Sequence, residues 1–169
     1  MKILLAACNA KYIHSNLAVF NLKACAKEYD SNVVLREYTI NQQKDDILKD
    51  IYRCHPDVIC ISCYIWNITF VRELMQDLRK ILPDVPFWAG GPEVSYDAET
   101  FLGKNPAFNG VMVGEGEETF LELVKHYVDG SVTLEETRGL VYRKADGALQ
   151  NNGWRQLMDL SKVPFAYEN

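Results

Sequence analysis

Short apolar runs and longer stretches of helical spacing alternate along the chain, and the alternation predicts strand–helix units in series. Ile3 to Ala7 is an apolar run of the kind buried on both faces of a parallel sheet. The polar loop Cys8 to Asn16 follows. Ser15 or Asn16 can cap a helix with Leu17, Phe20, Ala24 and Cys25 on its inner face. Asp30-Ser31-Asn32 breaks that helix, and Val33 to Tyr38 is the second strand. A helix from Asp45 to Cys54 turns Ile47, Leu48, Ile51 and Tyr52 to one side, and His55-Pro56 ends it, because a residue before proline disfavours helical geometry. Val58 to Ser62 is a third, central strand. Asn67 then caps the clearest helix, in which Ile68, Val71, Leu74, Met75, Leu78, Ile81 and Leu82 recur at helical spacing up to Pro83. Val85 to Ala89 and Gly110 to Val113 are strands four and five, with a short helix around Asp97 to Leu102 between them. The last helix places Phe120, Leu123, Val124, Tyr127 and Val128 inside.

Five such units imply a parallel sheet with right-handed crossovers. The expected fold is three-layer α/β: a flavodoxin/Rossmann-like, doubly wound, five-stranded parallel sheet in the order 2-1-3-4-5. Gly139 to Arg143 and Leu149-Gln150 flank Asp146-Gly147 and predict a small C-terminal β-hairpin. The expected division is residues 1–130 as the Rossmann-like domain and 131–169 as hairpin and linker. The apolar tail, with Leu157, Leu160, Val163, Phe165 and Tyr167, has no further element to pack it, so a longer natural protein is expected.

Composition narrows the function classes. The 169 residues are 48% hydrophobic and 24% charged, ordinary for a globular domain. A net charge of −5 and the lack of any Lys/Arg run argue against a nucleic-acid surface. No stretch is long enough to span a bilayer. Five cysteines at irregular spacing suggest no disulfide framework, and a reducing, cytoplasmic compartment is expected.

In an open α/β sheet, ligands bind beyond the carboxyl ends of the strands. Four loops build that edge here: Cys8 to Asn16, Ser62 to Asn67, Gly90 to Tyr96, and Gly114 to Glu118. Gly90-Gly91-Pro92 follows a buried strand, and paired glycines let backbone approach a flat ligand; a plain tight turn before proline accounts for it equally well. Gly114-x-Gly116 lacks the glycine of a phosphate loop where Thr119 stands, and Glu115, Glu117 and Glu118 would repel a phosphate, so it reads as a helix cap. Cys60-x-x-Cys63 has redox or metal spacing, but residues three apart on a strand face opposite ways, so buried apolar thiols are the simpler reading. His14 is the single histidine on the edge and has no companion ligand; no metal site is expected. Tyr12, His14, Tyr64 and Trp66 offer aromatic and polar groups for a large, flat ligand, or else cover the sheet edge. No catalytic set can be assembled, so the chain itself is expected to carry no catalytic residue.

The loop Asn9 to Ala18, the strand end Ser62-Cys63-Tyr64, the turn Gly90-Gly91-Pro92 and the stretch Gly114-Glu115-Gly116-Glu117 together resemble the cobalamin (vitamin B12)-binding N-terminal domain of radical S-adenosylmethionine proteins. Its relatives include anaerobic magnesium-protoporphyrin monomethyl ester cyclases and cobalamin-dependent radical methylases. The resemblance covers nearly the whole chain. It implies a cobalamin site formed by Asn9, Tyr12, His14, Ser62, Tyr64, Trp66, Gly90, Gly91, Pro92, Glu93, Gly114 and Gly116. The Asp-x-His-x-x-Gly pattern that supplies a histidine to cobalt in methionine-synthase-type domains is absent, which implies base-off cobalamin without a protein ligand on cobalt, or a degenerate domain acting as an interaction module. A flavodoxin-like nucleotide-binding protein is a further alternative. The resemblance also implies a downstream catalytic barrel, the domain's own partner, holding S-adenosylmethionine and a [4Fe-4S] cluster; the Cys-x3-Cys-x2-Cys motif of that barrel is not in this sequence.

Overall fold

A computed structural model describes residues 1–11, 15–159, 161, 164 and 166. The strands are β1 (Ile3–Asn9), β2 (Val33–Thr39), β3 (Val58–Ser62), β4 (Phe87–Gly90), β5 (Gly110–Met112), β6 (Leu140–Arg143) and β7 (Leu149–Asn151). The helices are α1 (Leu17–Cys25), α2 (Lys44–Cys54), α3 (Ile68–Ile81), α4 (Pro92–Ser95), α5 (Ala98–Lys104) and α6 (Glu117–Val128), and a 3-10 turn, Lys27–Asn32, follows α1. The architecture is Rossmann/flavodoxin-like α/β, with all strands in one mixed sheet of order β2-β1-β3-β4-β5-β6-β7.

The first five strands are parallel in the expected order. The C-terminal hairpin departs from expectation. It is no separate appendage: β6 pairs antiparallel with β5, and β7 with β6, so the sheet has seven strands rather than five. The reason is the exposed ladder of β5, whose unpaired backbone groups would otherwise form an open edge.

Strand periodicity divides the core in two. Leu4, Ala6, Ile59, Ile61, Phe87 and Ala89 face α2, α3 and α5. Ile3, Leu5, Ala7, Cys60, Trp88 and Met112 face α1 and α6. Cys60 and Cys63 indeed fall into opposite layers. In α1, Val19 is the buried residue, whereas Leu17, expected inside, is 51% exposed. The helix is rotated so that Val19 meets the sheet, with Phe20 and Leu22 packed partly against it.

Gly110 shows how tightly the sheet packs on the α1/α6 side. A Cβ there would lie less than 3 Å from both the Trp88 ring and the Tyr142 Cβ. Gly110→Ala is therefore expected to destabilise the domain by about 1–3 kcal/mol through overpacking. A urea midpoint unchanged from that of the native chain would contradict this packing.

Candidate functional site

The carboxyl ends of β1, β3, β4 and β5 converge on a cavity of about 430 Å³ between the sheet and the α1/α6 layer. Its interior is apolar, with Leu5 and Met112 from the sheet and Val19 and Leu22 from α1. Its mouth is glycine and small polar residues: Ser62, Gly90, Gly91, Gly114 and Gly116. A hollow of about 370 Å³ adjoins it, lined by Asn9, Asn16, Tyr64 and Trp66 among others. Tyr64 and Ala18 border both spaces. An apolar space with a few placed polar groups at its rim is the form of a small-molecule site.

Three polar nodes hold this edge. At the first, the side chain of Asn67, fully buried, donates from Nδ2 to the carbonyls of Cys8 (2.9 Å) and Ser62 (3.1 Å) and accepts at Oδ1 from the Tyr64 amide (2.8 Å). It was expected as a helix cap; it occupies the cap position of α3 but spends its side chain tying β1 to β3. At the second, Glu37 Oε1 accepts from Asn9 Nδ2 and from the Asn16 amide, both at 2.8 Å. Asn16 Nδ2 in turn donates to Ser62 Oγ at 3.2 Å. At the third, the buried Ser95 hydroxyl donates to the Gly91 carbonyl (2.8 Å) and accepts from the Gly114 amide (3.1 Å), so one oxygen braces both glycine turns.

Two of the glycines have a steric reason, Gly91 in its backbone and Gly116 in helix packing. Gly91 has φ +107°, and a Cβ on it would sit 2.5 Å from the Cys63 carbonyl oxygen. Gly116 caps α6, and a Cβ there would come within 3.1 Å of Leu22, so its absence lets α1 and α6 approach. Glu117 and Glu118 occupy the first turn of α6, where they complement the helix dipole.

Of the residues named from sequence, Ser62, Tyr64, Gly90, Gly91, Pro92, Gly114 and Gly116 line the main cavity, and Asn9, Tyr64 and Trp66 the adjoining hollow. Tyr64 and Trp66 stack at 4.4 Å with nearly parallel rings. Glu93 is exposed on α4, and its amide donates to the Cys63 carbonyl. Tyr12 and His14 lie outside the described residues. Asn16, Ser95 and the segment after β7 were not marked as site residues. Ser62 is 46 residues from Asn16, Gly114 is 19 from Ser95 and Thr119 is 36 from Arg155, and no local pattern announces such contacts.

Among the described residues, no group of three or more His, Cys, Asp or Glu side chains is placed to hold a metal, and no helix is long and apolar enough to cross a membrane. Burial pushes the Cys8 thiol up to about 12 and raises those of Cys60 and Cys63 as well, so none of the three is a ready thiolate.

A family model of the B12 binding domain matches residues 3–124. The chain is 29% identical over 112 residues to the cobalamin-dependent radical SAM methyltransferase TokK of Streptomyces tokunonensis, covering 66% of this chain and 16% of that protein. It is 33% identical over 107 residues to cytidylyl-2-hydroxyethylphosphonate methyltransferase of Streptomyces wedmorensis, covering 63% of this chain and 20% of that one. The cobalamin-dependent S-adenosylmethionine radical enzyme OxsB, solved with aqua-cobalamin and S-adenosylmethionine bound, superposes with a TM-score of 0.73 at 16% identity, over 92% of this chain and 22% of OxsB. That likeness is one of fold. The chain thus spans between 16% and 22% of the length of these three proteins.

Two outcomes test this geometry. Asn67→Ala leaves buried carbonyls and an amide without partners and is expected to cost at least about 2 kcal/mol in chemical denaturation; a loss below about 0.5 kcal/mol, the scale of a neutral surface change, would show that the clamp is dispensable. At pH 8, a thiol reagent should modify only the half-buried Cys25 and Cys54 in the folded chain, and all five cysteines in denaturant. Mass spectrometry of the native adduct decides it; rapid labelling of Cys60 would be incompatible with its burial.

Proposed function

Since the chain belongs to the B12-binding domain family, we propose that it binds cobalamin at the carboxyl edge of its sheet. The observation that carries the reading is the apolar cavity with its glycine-rich mouth, which suits the ligand in two parts. A space of about 430 Å³ takes the slender nucleotide tail, whereas the macrocycle stays outside, over the mouth and the Tyr64–Trp66 platform. The polar rim of Ser62 and Asn16 then meets the sugar and amide groups, and Leu5, Val19 and Met112 meet the heterocycle.

No described residue lining either space is a histidine: His55 ends α2, and His126 pairs with the Val132 carbonyl on α6. With the sequence pattern of a cobalt-binding histidine also absent, the reading is base-off cobalamin without a protein ligand on cobalt. The residues of this chain bind and orient the cofactor and keep water from the tail; methylcobalamin, when bound, supplies a transferable methyl group.

The wider role is our reading from the relatives, one a cobalamin-dependent radical SAM methyltransferase and one a methyltransferase by name. The domain presents its cofactor to a separate radical S-adenosylmethionine barrel holding a [4Fe-4S] cluster, in a cytoplasmic enzyme. Methyl transfer is the reaction class the relatives favour over an oxidative cyclisation.

The test is a titration of the chain with hydroxocobalamin, followed by equilibrium dialysis and the visible spectrum. Retention at micromolar concentration with a base-off spectrum is the expected result; no retention at high micromolar concentration would remove the reading and leave an interaction module. Ser62→Phe supplies the control, because it fills the mouth from a position without backbone strain and should weaken binding at least tenfold, about 1.4 kcal/mol, with the fold retained. Gly91 is unsuitable for that purpose, since any side chain there strains φ and collides with Cys63.

A further inference from the structure

Beyond the residues that match the family, the chain after β7 crosses the mouth of the cavity as a strap. Trp154, Arg155, Gln156 and Leu157 all line the cavity, yet the family match ends at residue 124. The strap is anchored at three points. At its start, Gly153 accepts at its carbonyl from the Gly139 amide (2.9 Å), continuing from the β6–β7 pairing. At its centre, Arg155 donates to Glu118 Oε2 (3.2 Å), to Glu122 and to Thr119 Oγ1 (3.2 Å) on α6, and to the Arg138 carbonyl (3.1 Å). At its exit, the Met158 amide donates to Glu115 Oε2 at 2.7 Å.

These anchors fix the indole of Trp154 over Gly114. A Cβ on Gly114, whose φ is +79°, would meet the indole at 3.2 Å, so the glycine lets the ring come close. Tyr96 lies beside it, tilted, at 5.7 Å between ring centroids. Tyr96 and Trp154 thus give the cavity an aromatic wall. Most of the acidic side chains near this mouth are already committed: Glu118 and Glu122 to Arg155, Glu115 to the strap.

We propose that the strap Gly153–Met158 is the outer wall of the cofactor cavity, in which Trp154 recognises the planar nitrogen heterocycle of the ligand's nucleotide tail and Arg155 is the positioning residue that holds Trp154 there. The proposal rests on the cobalamin reading. Trp154 lines the cavity and is 54% exposed, so its indole is open to a ligand, and stacking on a heteroaromatic base needs a flat partner and no particular hydrogen-bond pattern. Arg155 suits its part: its fork engages two carboxylates one helical turn apart, a geometry a lysine cannot reproduce.

The experiment compares two corrinoids on the same 169-residue chain: cobalamin, and cobinamide, which lacks the nucleotide tail. Trp154→Ala should weaken cobalamin at least tenfold and leave cobinamide unchanged. Trp154→Phe, which keeps a flat ring, should recover most of the loss. Arg155→Ala should weaken cobalamin in the same way and leave cobinamide unchanged, a selectivity that loss of stability alone would not give; because the side chain is only 17% exposed and bonds to Glu118, Thr119, Glu122 and the Arg138 carbonyl, its loss should also lower the thermal midpoint. Cobalamin bound by Trp154→Ala as tightly as by the native chain overturns the proposal. So does an equal loss for both corrinoids, which would put Trp154 against the macrocycle, and so does tighter binding by the variants, which would make the strap a plug. A native chain that binds neither corrinoid overturns the cobalamin reading, and this inference with it.

Discussion

The ligand edge depends on one buried amide. Parallel strands leave their last carbonyls pointing past the sheet, and a chain that must turn there into a loop has to satisfy them without water. Asn67 does this for β1 and β3 together, and holds the Tyr64 amide with its third bond. The position of the Ser62–Asn67 loop, and with it the stacked pair Tyr64 and Trp66, follows from these three hydrogen bonds. Glu37 and Ser95 repeat the solution on either side. Glu37 joins Asn9 at the end of β1 to the start of α1, and Ser95 joins the two glycine turns. A rim held by side chains from distant segments can be rigid while remaining open above.

The two faces of the sheet are used differently. On one, α2 and α3 bring Ile47, Ile51, Val71, Leu74, Met75 and Leu78 into continuous contact with the strands. On the other, α1 has nine residues and a single fully buried one, Val19, so it covers the sheet incompletely at the carboxyl end. The unfilled space is the cavity. A protein interior is normally close-packed, and apolar walls facing a void forgo contacts that a ligand can supply. The hairpin has a part in this: by adding β6 and β7 to the sheet it returns the chain to the cavity mouth, where Arg155 fastens it to α6.

Much of the fold was legible in the order of residues alone. Strand β3 and helix α3 stand out because burial on two faces demands an unbroken apolar run, and burial on one face of a helix demands a 3.6-residue repeat. Both constraints act within a few residues, so the sequence displays them. The glycine turn after β4 was legible for a similar reason, since φ +107° against the Cys63 carbonyl admits nothing larger. Helix α1 was less clear. Its apolar residues surround the helix, and only the sheet decides that Val19 rather than Leu17 faces in.

What the tertiary structure alone decided is every contact between segments far apart in the chain. That the hairpin would complete the sheet beside β5, that Asn16 would meet Ser62, that Ser95 would brace Gly91 and Gly114, and that Trp154 would lie over Gly114 have no local signature. Each pairs groups that many alternative partners could satisfy equally well in the unfolded chain. The choice among those partners is made by the packing of whole strands and helices, and so the elements and the glycine-rich mouth were written in the sequence while the long-range contacts that close the walls around it were not.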